Sequence, residues 1–383
     1  MGRDTIAPGV QQDAGDITEV PSIPGAQSTS DLDRAQGVGS IPSSVPANTA
    51  HGSTRTGSGG WRRLVSGRET GVVVALLLMC LYLSFAAPQF LNVQNLLNIG
   101  RQVSLLGIMA VGMTFVLISA EVDLSVGSIY ALSGLSTGML LVGGWSLLPA
   151  IIVGLVIGSA MGLLNGLLST YGRLPSFITT LGMLNVVRGV ALLLTNGQPV
   201  TVDPAFGGNP ADLQTFFNLG QGKLFDVIPM QLVFFAGIAV LGWFVLARTT
   251  FGFRVYAVGG SSRAARAAGI RVSNTKIGAF MLMGLLSGFA GILSLAFLPS
   301  GQAGRTGVGL ELDVIAATIV GGTALSGGEG TILGTVFGVL IIGVLRNGLV
   351  LTGVSPFWQT TVIGAVIILA VGVDKWTRRG AHK

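Results

Sequence analysis

Long apolar runs, separated by short polar or glycine-rich segments, fill residues 71–373 of the 383-residue chain. They fall at about 71–87, 102–119, 125–142, 148–168, 176–195, 230–247, 277–297, 310–325, 331–346 and 357–373. A helix needs about 20 apolar residues to cross a bilayer, and several of these runs are shorter. The pattern predicts an all-α, polytopic transmembrane helical bundle of about ten spans, some broken or re-entrant. The 310–346 region reads either as two short spans or as a re-entrant pair. Residues 1–60 are rich in Ser, Gly, Pro, Thr and Ala and show no apolar period. They are expected to form a disordered cytoplasmic tail, with residues 61–383 as the transmembrane domain.

Composition sharpens this reading. Half of the residues are hydrophobic and only 10% are charged, where soluble domains carry about 25%. The mean hydropathy is +0.72. A soluble enzyme, a nucleic-acid-binding protein and a disordered hub are excluded for the chain as a whole. The 59 glycines suit closely packed helices in lipid, where small residues let backbones approach. Trp61-Arg62-Arg63 and Arg68 ahead of the first run resemble a secretory signal. The long preceding tail and the later spans favour an uncleaved first transmembrane helix instead.

The net charge of +6 is unevenly spread. An even span number puts both termini on one side, and placing them inside gathers there fourteen of the nineteen bases that follow residue 60. Only Arg101, Arg188, Lys223, Arg305 and Arg346 remain in spans or outer loops. This bias predicts a multi-pass plasma-membrane protein with both termini cytoplasmic. Segment 196–229 then becomes an extracytoplasmic loop, and 248–276, with six bases and no acid, a cytoplasmic one.

The cytoplasmic segment is the most specific feature. Phe251-Gly252-Phe253 reads as a turn between Arg248 and Arg254. Gly259-Gly260-Ser261-Ser262 offers a serine N-cap. The helix former Arg263-Ala264-Ala265-Arg266-Ala267-Ala268 follows, with Gly269 suited to the C′ position. The expected product is a short cationic helix whose small side chains fit a groove on another protein. The simpler alternative is a basic loop that only obeys the positive-inside rule.

Glu121 and Asp123 interrupt an apolar stretch. Facing lipid, each would cost about 2.5–3.5 kcal/mol, so they sit at an interfacial loop or line a polar cavity. Glu311 and Asp313 repeat the Glu-x-Asp spacing 190 residues later. An inverted repeat would produce this, although two matching residues are also within chance. Arg188 either pairs within the bundle or snorkels to the outer interface. Asn165, Ser176, Thr179, Thr180, Asn185 and Gln198 are further polar candidates for a substrate pathway.

Several chemistries find no support. Gly134-Leu135-Ser136-Thr137-Gly138 has the nucleophile-elbow spacing, but the only histidines, His51 and His382, lie in the tails. It reads as a small-residue packing face. With one cysteine, Cys80, there is no disulfide and no His/Cys metal cluster. The glycine-rich run 321–331 lacks the phosphate-loop pattern and reads as a tight turn between packed spans. No ATP site is visible, so a partner chain must bind any ATP that is consumed.

Five stretches together resemble a carbohydrate-uptake ABC transporter permease of the ribose/xylose-type branch. They are GMTFVLISAEVDLSVGSIYALSG (112–134), the 162–189 stretch beginning GLLNGLLSTYGRLPSFITT, RTTFGFRVYAVGGSSRAARAAGI (248–270), ELDVIAATIVGGTALSGGEGTILGT (311–335) and VLRNGLVLTGVSPFWQ (344–359). The resemblance implies a transport subunit, not an enzyme, that pairs with a second permease copy in the lipid bilayer. It further implies a cytoplasmic ATPase subunit as motor and an extracytoplasmic sugar-binding protein that delivers a monosaccharide. Arg263, Ala264, Ala265, Arg266, Gly269 and Ile270 match the family's ATPase-coupling helix. Ser261-Ser262-Arg263 stand where the family often has an acidic residue, so the polar contacts to the ATPase differ here. The alternative transport reading is an ion-coupled sugar carrier using Glu121, Asp123, Glu311 or Glu329. An intramembrane hydrolase would need a base that no span supplies.

Overall fold

The computed structural model describes residues 67–355 and nine positions between 358 and 372. The chain divides into two units, 1–58 and 59–383. The first unit, and with it the expected disordered tail 1–60, lies outside the described residues.

Helices dominate: α1 (Gly67–Ala86), α2 (Val93–Ile118), α3 (Val126–Val142), α4 (Leu147–Thr170) and α5 (Ser176–Thr195). After a loop segment containing β1 (Val200–Thr201), α6 (Pro210–Gln221), β2 (Lys223–Leu224) and β3 (Ile228–Pro229), come α7 (Met230–Arg248), α8 (Thr250–Gly260) and α9 (Ser262–Ala267). Then follow α10 (Val272–Phe297), β4 (Ser300–Gly301), α11 (Leu310–Val320) and α12 (Ile332–Leu351). Among the described residues, α2, α4, α5, α7, α10 and α12 are long and apolar enough to cross a membrane. The apolar α3 has 17 residues and α11 only 11.

Two helices outrun their apolar signal because polar side chains near their ends find partners. The Asn92 side chain caps α2 through the Gln94 amide at 2.9 Å, and Asn95 donates to Asn347 of α12. The second turn of α10 carries Lys276, which is paired with Glu121. Conversely, α11 stops short of the expected residue 325, at Gly321 and Gly322, the latter with φ of +93°.

The core is built on the two 26-residue helices α2 and α10, which are mostly buried, whereas fewer residues of α4, α5 and α7 are buried. That distribution suits helices bathed in lipid around a central pair. α10 packs on α3 and α4, and α2 packs on α11 and α12. Glycines make the first seam: Gly154, Gly158, Gly162 and Gly166 of α4 lie against Ile292, Gly284, Phe280 and Ile277 of α10 in descending order, so the helices run antiparallel. Gly321 and Gly338 likewise bring α11 against α12. The expected packing face at Gly134 is present, with Gly134 against the Gly291 backbone and Ser133 and Thr137 buried.

This pairing reveals two similar units of opposite direction. Each is a long helix, a break, a short helix and a further span: α2, 119–125, α3 and α4, then α10, 298–309, α11 and α12. Both short helices meet where Gly127 touches the Gly307 carbonyl and the Glu311 carboxylate. The first Glu-x-Asp lies in the break before α3 and the second in the first turn of α11, so the two pairs sit near, but not at, equivalent places in the two units. Segment 196–229 is also more ordered than a plain loop: Leu213, Phe216 and Gly220 of α6 are buried against the α10 end, and β1 pairs with β4.

Candidate functional site: a helical wedge and two broken helices

The wedge begins where α7 stops. The Thr249 hydroxyl donates to Val245 O at 2.6 Å and accepts from the Gly252 amide at 3.3 Å, capping α8. The expected turn at Phe251–Phe253 is instead the first turn of α8. Its sharp entry is possible because a Cβ at Gly252 would collide with the Leu246 carbonyl. Phe251 stacks on Phe115 of α2 at 6.0 Å between centroids, and Phe253 points outward.

α9 forms where the sequence predicts it. The Ser261 side chain accepts from the Ala264 amide at 3.2 Å. Gly269 takes φ of +79°, and the Ile270 amide returns to Ala265 O at 3.0 Å, closing the helix end. Ala265 is buried with Val258 and Val272, and Ile270 packs alongside. Arg263, Ala264 and Arg266 are exposed, as are Ala267, Ala268 and Gly269. This leaves a cationic, small-residue face on a helix whose other side is fixed.

The wedge is locked into the bundle. The Gly328 amide donates to Ile118 O at 2.8 Å, and Gly259 sits so close to that carbonyl that a Cβ would collide. The Tyr256 hydroxyl donates to Gly330 O at 2.6 Å. The glycine-rich run 321–331 is thus the tight connection between packed helices that the sequence predicts, and it also seats α8. The sequence offered no signal for that second role.

The first broken helix gathers several predicted pathway residues. The Asp123 carboxylate is buried and accepts from the Ser125 amide at 2.8 Å, the Ser125 hydroxyl at 2.7 Å and the Asn165 amide group at 3.2 Å. Thr180 donates to Ser176 O at 2.8 Å and to Val122 O at 3.3 Å, and the Ser176 hydroxyl accepts from the Val122 amide. Thr179 is buried beside this group, its hydroxyl without a hydrogen-bond partner. Asp123, Asn165, Thr179 and Thr180 are therefore closed off from any open path in this conformation. Glu121 does not join them, because it pairs with Lys276 of α10.

The remaining candidates lie apart. Asn185 is on the exposed face of α5 and bonds only within its helix, to Leu181 O. Gln198 is exposed beyond the end of α5. Arg188 neither snorkels freely nor stands alone: it donates to Ala303 O at 2.7 Å and to Thr306 O, tying α5 to the second break. Sequence reasoning missed the ion pair of Asp313 with Arg346 at 2.5 Å, whose only signal was the repeated Glu-x-Asp. Of the four acids that an ion-coupled carrier would draw on, Glu121 is paired with Lys276, Asp123 is enclosed by neutral donors and Glu311 accepts from the Gly309 amide.

A family profile described as branched-chain amino acid transport system / permease component matches residues 95–371. The chain belongs to this permease family. The ribose import permease protein of Escherichia coli (strain K12) is 42% identical over 308 residues, covering 80% of this chain and 93% of that protein. The L-arabinose ABC transporter permease protein of Azospirillum brasilense is 38% identical, covering 85% and 91%. The xylose transport system permease protein of Escherichia coli (strain K12) is 33% identical, covering 80% and 92%. No solved structure matches. The chain is thus a multi-pass permease subunit of an ABC importer, a transport component and not an enzyme. It works with an ATPase and a substrate-binding protein.

Proposed function

We propose that this permease translocates a monosaccharide of the ribose, arabinose or xylose class across a bacterial plasma membrane. Two copies pair in the bilayer, and both termini and the α8–α9 end face the cytoplasm. An ATPase subunit, which binds all of the ATP, grips α9 through Arg263, Ala264, Arg266 and the C-terminal turn at Gly269 and Ile270. Delivery by the sugar-binding protein occurs at the α6 end. Asn185 and Gln198 line the path in this conformation, while Asp123, Asn165, Thr179 and Thr180 are uncovered when the first break moves; Glu121 and Arg188 hold the two breaks in register.

The observation that carries this reading is the locked wedge. α9 presents an exposed cationic face while α8 is bonded to the 321–331 turn, which is itself bonded to the end of α2. A push on α9 thereby reaches the central helix and the connection between α11 and α12 without passing through a flexible loop. The sugar class is supported by relatives named for ribose, arabinose and xylose.

The test is uptake of labelled pentoses into vesicles holding the permease, its ATPase and its binding protein. Arg266→Glu and Gly269→Pro are expected to cut uptake at least tenfold while ATP hydrolysis and membrane insertion persist. Proline cannot adopt the φ of Gly269. Normal uptake in both variants overturns the coupling assignment. Uptake of leucine but of no pentose overturns the sugar assignment. Accumulation by this chain alone on an ion gradient overturns the importer reading.

A further inference from the structure

The end of the bundle that carries α9 also holds a cleft that borders the proposed ATPase grip and shares Arg266, Gly269 and Ile270 with it. It has a volume of about 600 Å³ and lies between the α4–α5 turn and the start of α10. Arg173 enters it from the turn, Arg271 from the residue capping α10, and Arg266 from α9. Tyr171, Ser273 and Asn274 supply further polar groups, and no acidic residue lines it. A second cavity of about 530 Å³ shares the Gly269–Arg271 stretch and adds Arg254, again without an acid.

The positive-inside rule accounts for the sign of these charges but not for their convergence. Arg173 and Arg271 are 98 residues apart in sequence. Arg173 is held with φ of +55°, a conformation unfavourable for a residue with a side chain. Three arginines line one cleft, and guanidinium matches phosphate oxygens in a bidentate manner.

The surroundings say which anion. The cleft lies at the ends of three membrane-length helices, α4, α5 and α10, the level at which headgroups sit. Tyr171 is 64% exposed there, as interfacial aromatic residues are. From Arg173 the chain runs into Leu174, just before α5, and then into Phe177 and Ile178 on its first turn, all exposed and apolar. At the level of the helix ends, an acyl chain is the apolar surface at hand to cover them.

We propose that this cleft binds the phosphate headgroup of an anionic phospholipid of the cytoplasmic leaflet, with Arg173 and Arg271 as its principal ligands and the acyl chains against Leu174, Phe177 and Ile178. A lipid seated there touches Arg266 at the base of the wedge. The assignment goes beyond the transport reading and takes from it only the orientation.

The experiment uses the permease alone, so its failure is separate from failure of the transport proposal. The full chain is reconstituted in nanodiscs of phosphatidylcholine with 20–30% phosphatidylglycerol, extracted in mild detergent, and weighed by native mass spectrometry for retained lipid. Wild type is expected to retain phosphatidylglycerol in preference to phosphatidylcholine. The double variant Arg173→Gln/Arg271→Gln is expected to lose that retention at least fivefold, and Lys223→Gln, at the opposite end, to keep it. Should the double variant fail to fold, the wild-type unfolding midpoint decides: it is expected to rise when phosphatidylglycerol is added. Equal retention in all three proteins, or a midpoint indifferent to phosphatidylglycerol, overturns the proposal. Displacement of the lipid by millimolar inorganic phosphate assigns the cleft to a free anion instead.

Discussion

The break after α2 and the break after α10 share a backbone plan and a Glu-x-Asp spacing, yet their aspartates are accommodated by different chemistry. Asp123 is enclosed by neutral donors, two from Ser125 and one from Asn165 of α4. Asp313 instead meets a full charge, Arg346 of α12. In both units the aspartate, in the break before α3 or in the first turn of α11, reaches the span that follows the short helix. The glutamates differ too: Glu121 crosses to Lys276 in the other unit, whereas Glu311 accepts from the Gly309 amide at 3.2 Å. The repeated element is therefore a brace between a broken helix and its successor. Its electrostatics are free to diverge so long as the buried carboxylate keeps its hydrogen bonds.

The comparison is tested most severely at Asp313. Asp313→Ala leaves Arg346 without its partner in a largely apolar setting. Removing one member of a buried pair costs about 3–5 kcal/mol, and the partial exposure of Arg346 brings the expectation to about 2–3 kcal/mol. Denaturation of the purified protein in detergent measures it. A loss below that of Asp123→Asn would show that the ion pair does not brace the second unit.

An intermediate effect is expected at the two glycine seams. Gly162→Val drives a branched side chain into the Phe280 backbone of α10, and Gly338→Val does the same to Ala317 of α11. Overpacking costs about 1–3 kcal/mol. If the units are structurally equivalent, the two variants lower the unfolding midpoint by similar amounts. A marked inequality would identify the seam that yields more easily.

The smallest effect is expected from Asp123→Asn. The replacement keeps one oxygen for the Ser125 amide and hydroxyl and removes a charge that has no cationic partner in its cage. The predicted change is within about 1 kcal/mol, on the scale of a single net hydrogen bond. A loss as large as that of Asp313→Ala would mean that the two aspartates do equivalent work.

Much of this architecture was legible before any coordinates. Residues 176–195 form α5 over the full predicted run, because Pro175 marks its start and Asn196 closes it in the left-handed region. The cap at Ser261 and the terminator at Gly269 define α9, since both act through local backbone geometry. Less visible were the helix starts at Val93 and Val272, because the polar residues there read as loop until Asn347 and Glu121 supply partners from far along the chain. The turn expected at Phe251–Phe253 was misplaced for a related reason. Gly252 signalled a bend, but the bend lies just before it, where the Leu246 backbone leaves no room for a side chain.

The sequence by itself determined a membrane bundle, its helix order and the capped cationic helix. Apolar run length, charge bias and capping are short-range properties, and each is set by neighbours in the chain. Tertiary structure alone decided that two broken helices meet at Gly127 and Glu311, that Asp123 is enclosed while Asp313 is ion-paired, and that Arg173 and Arg271 share one cleft. Each of these depends on which distant segments become neighbours, and buried charge takes its meaning from the groups that surround it.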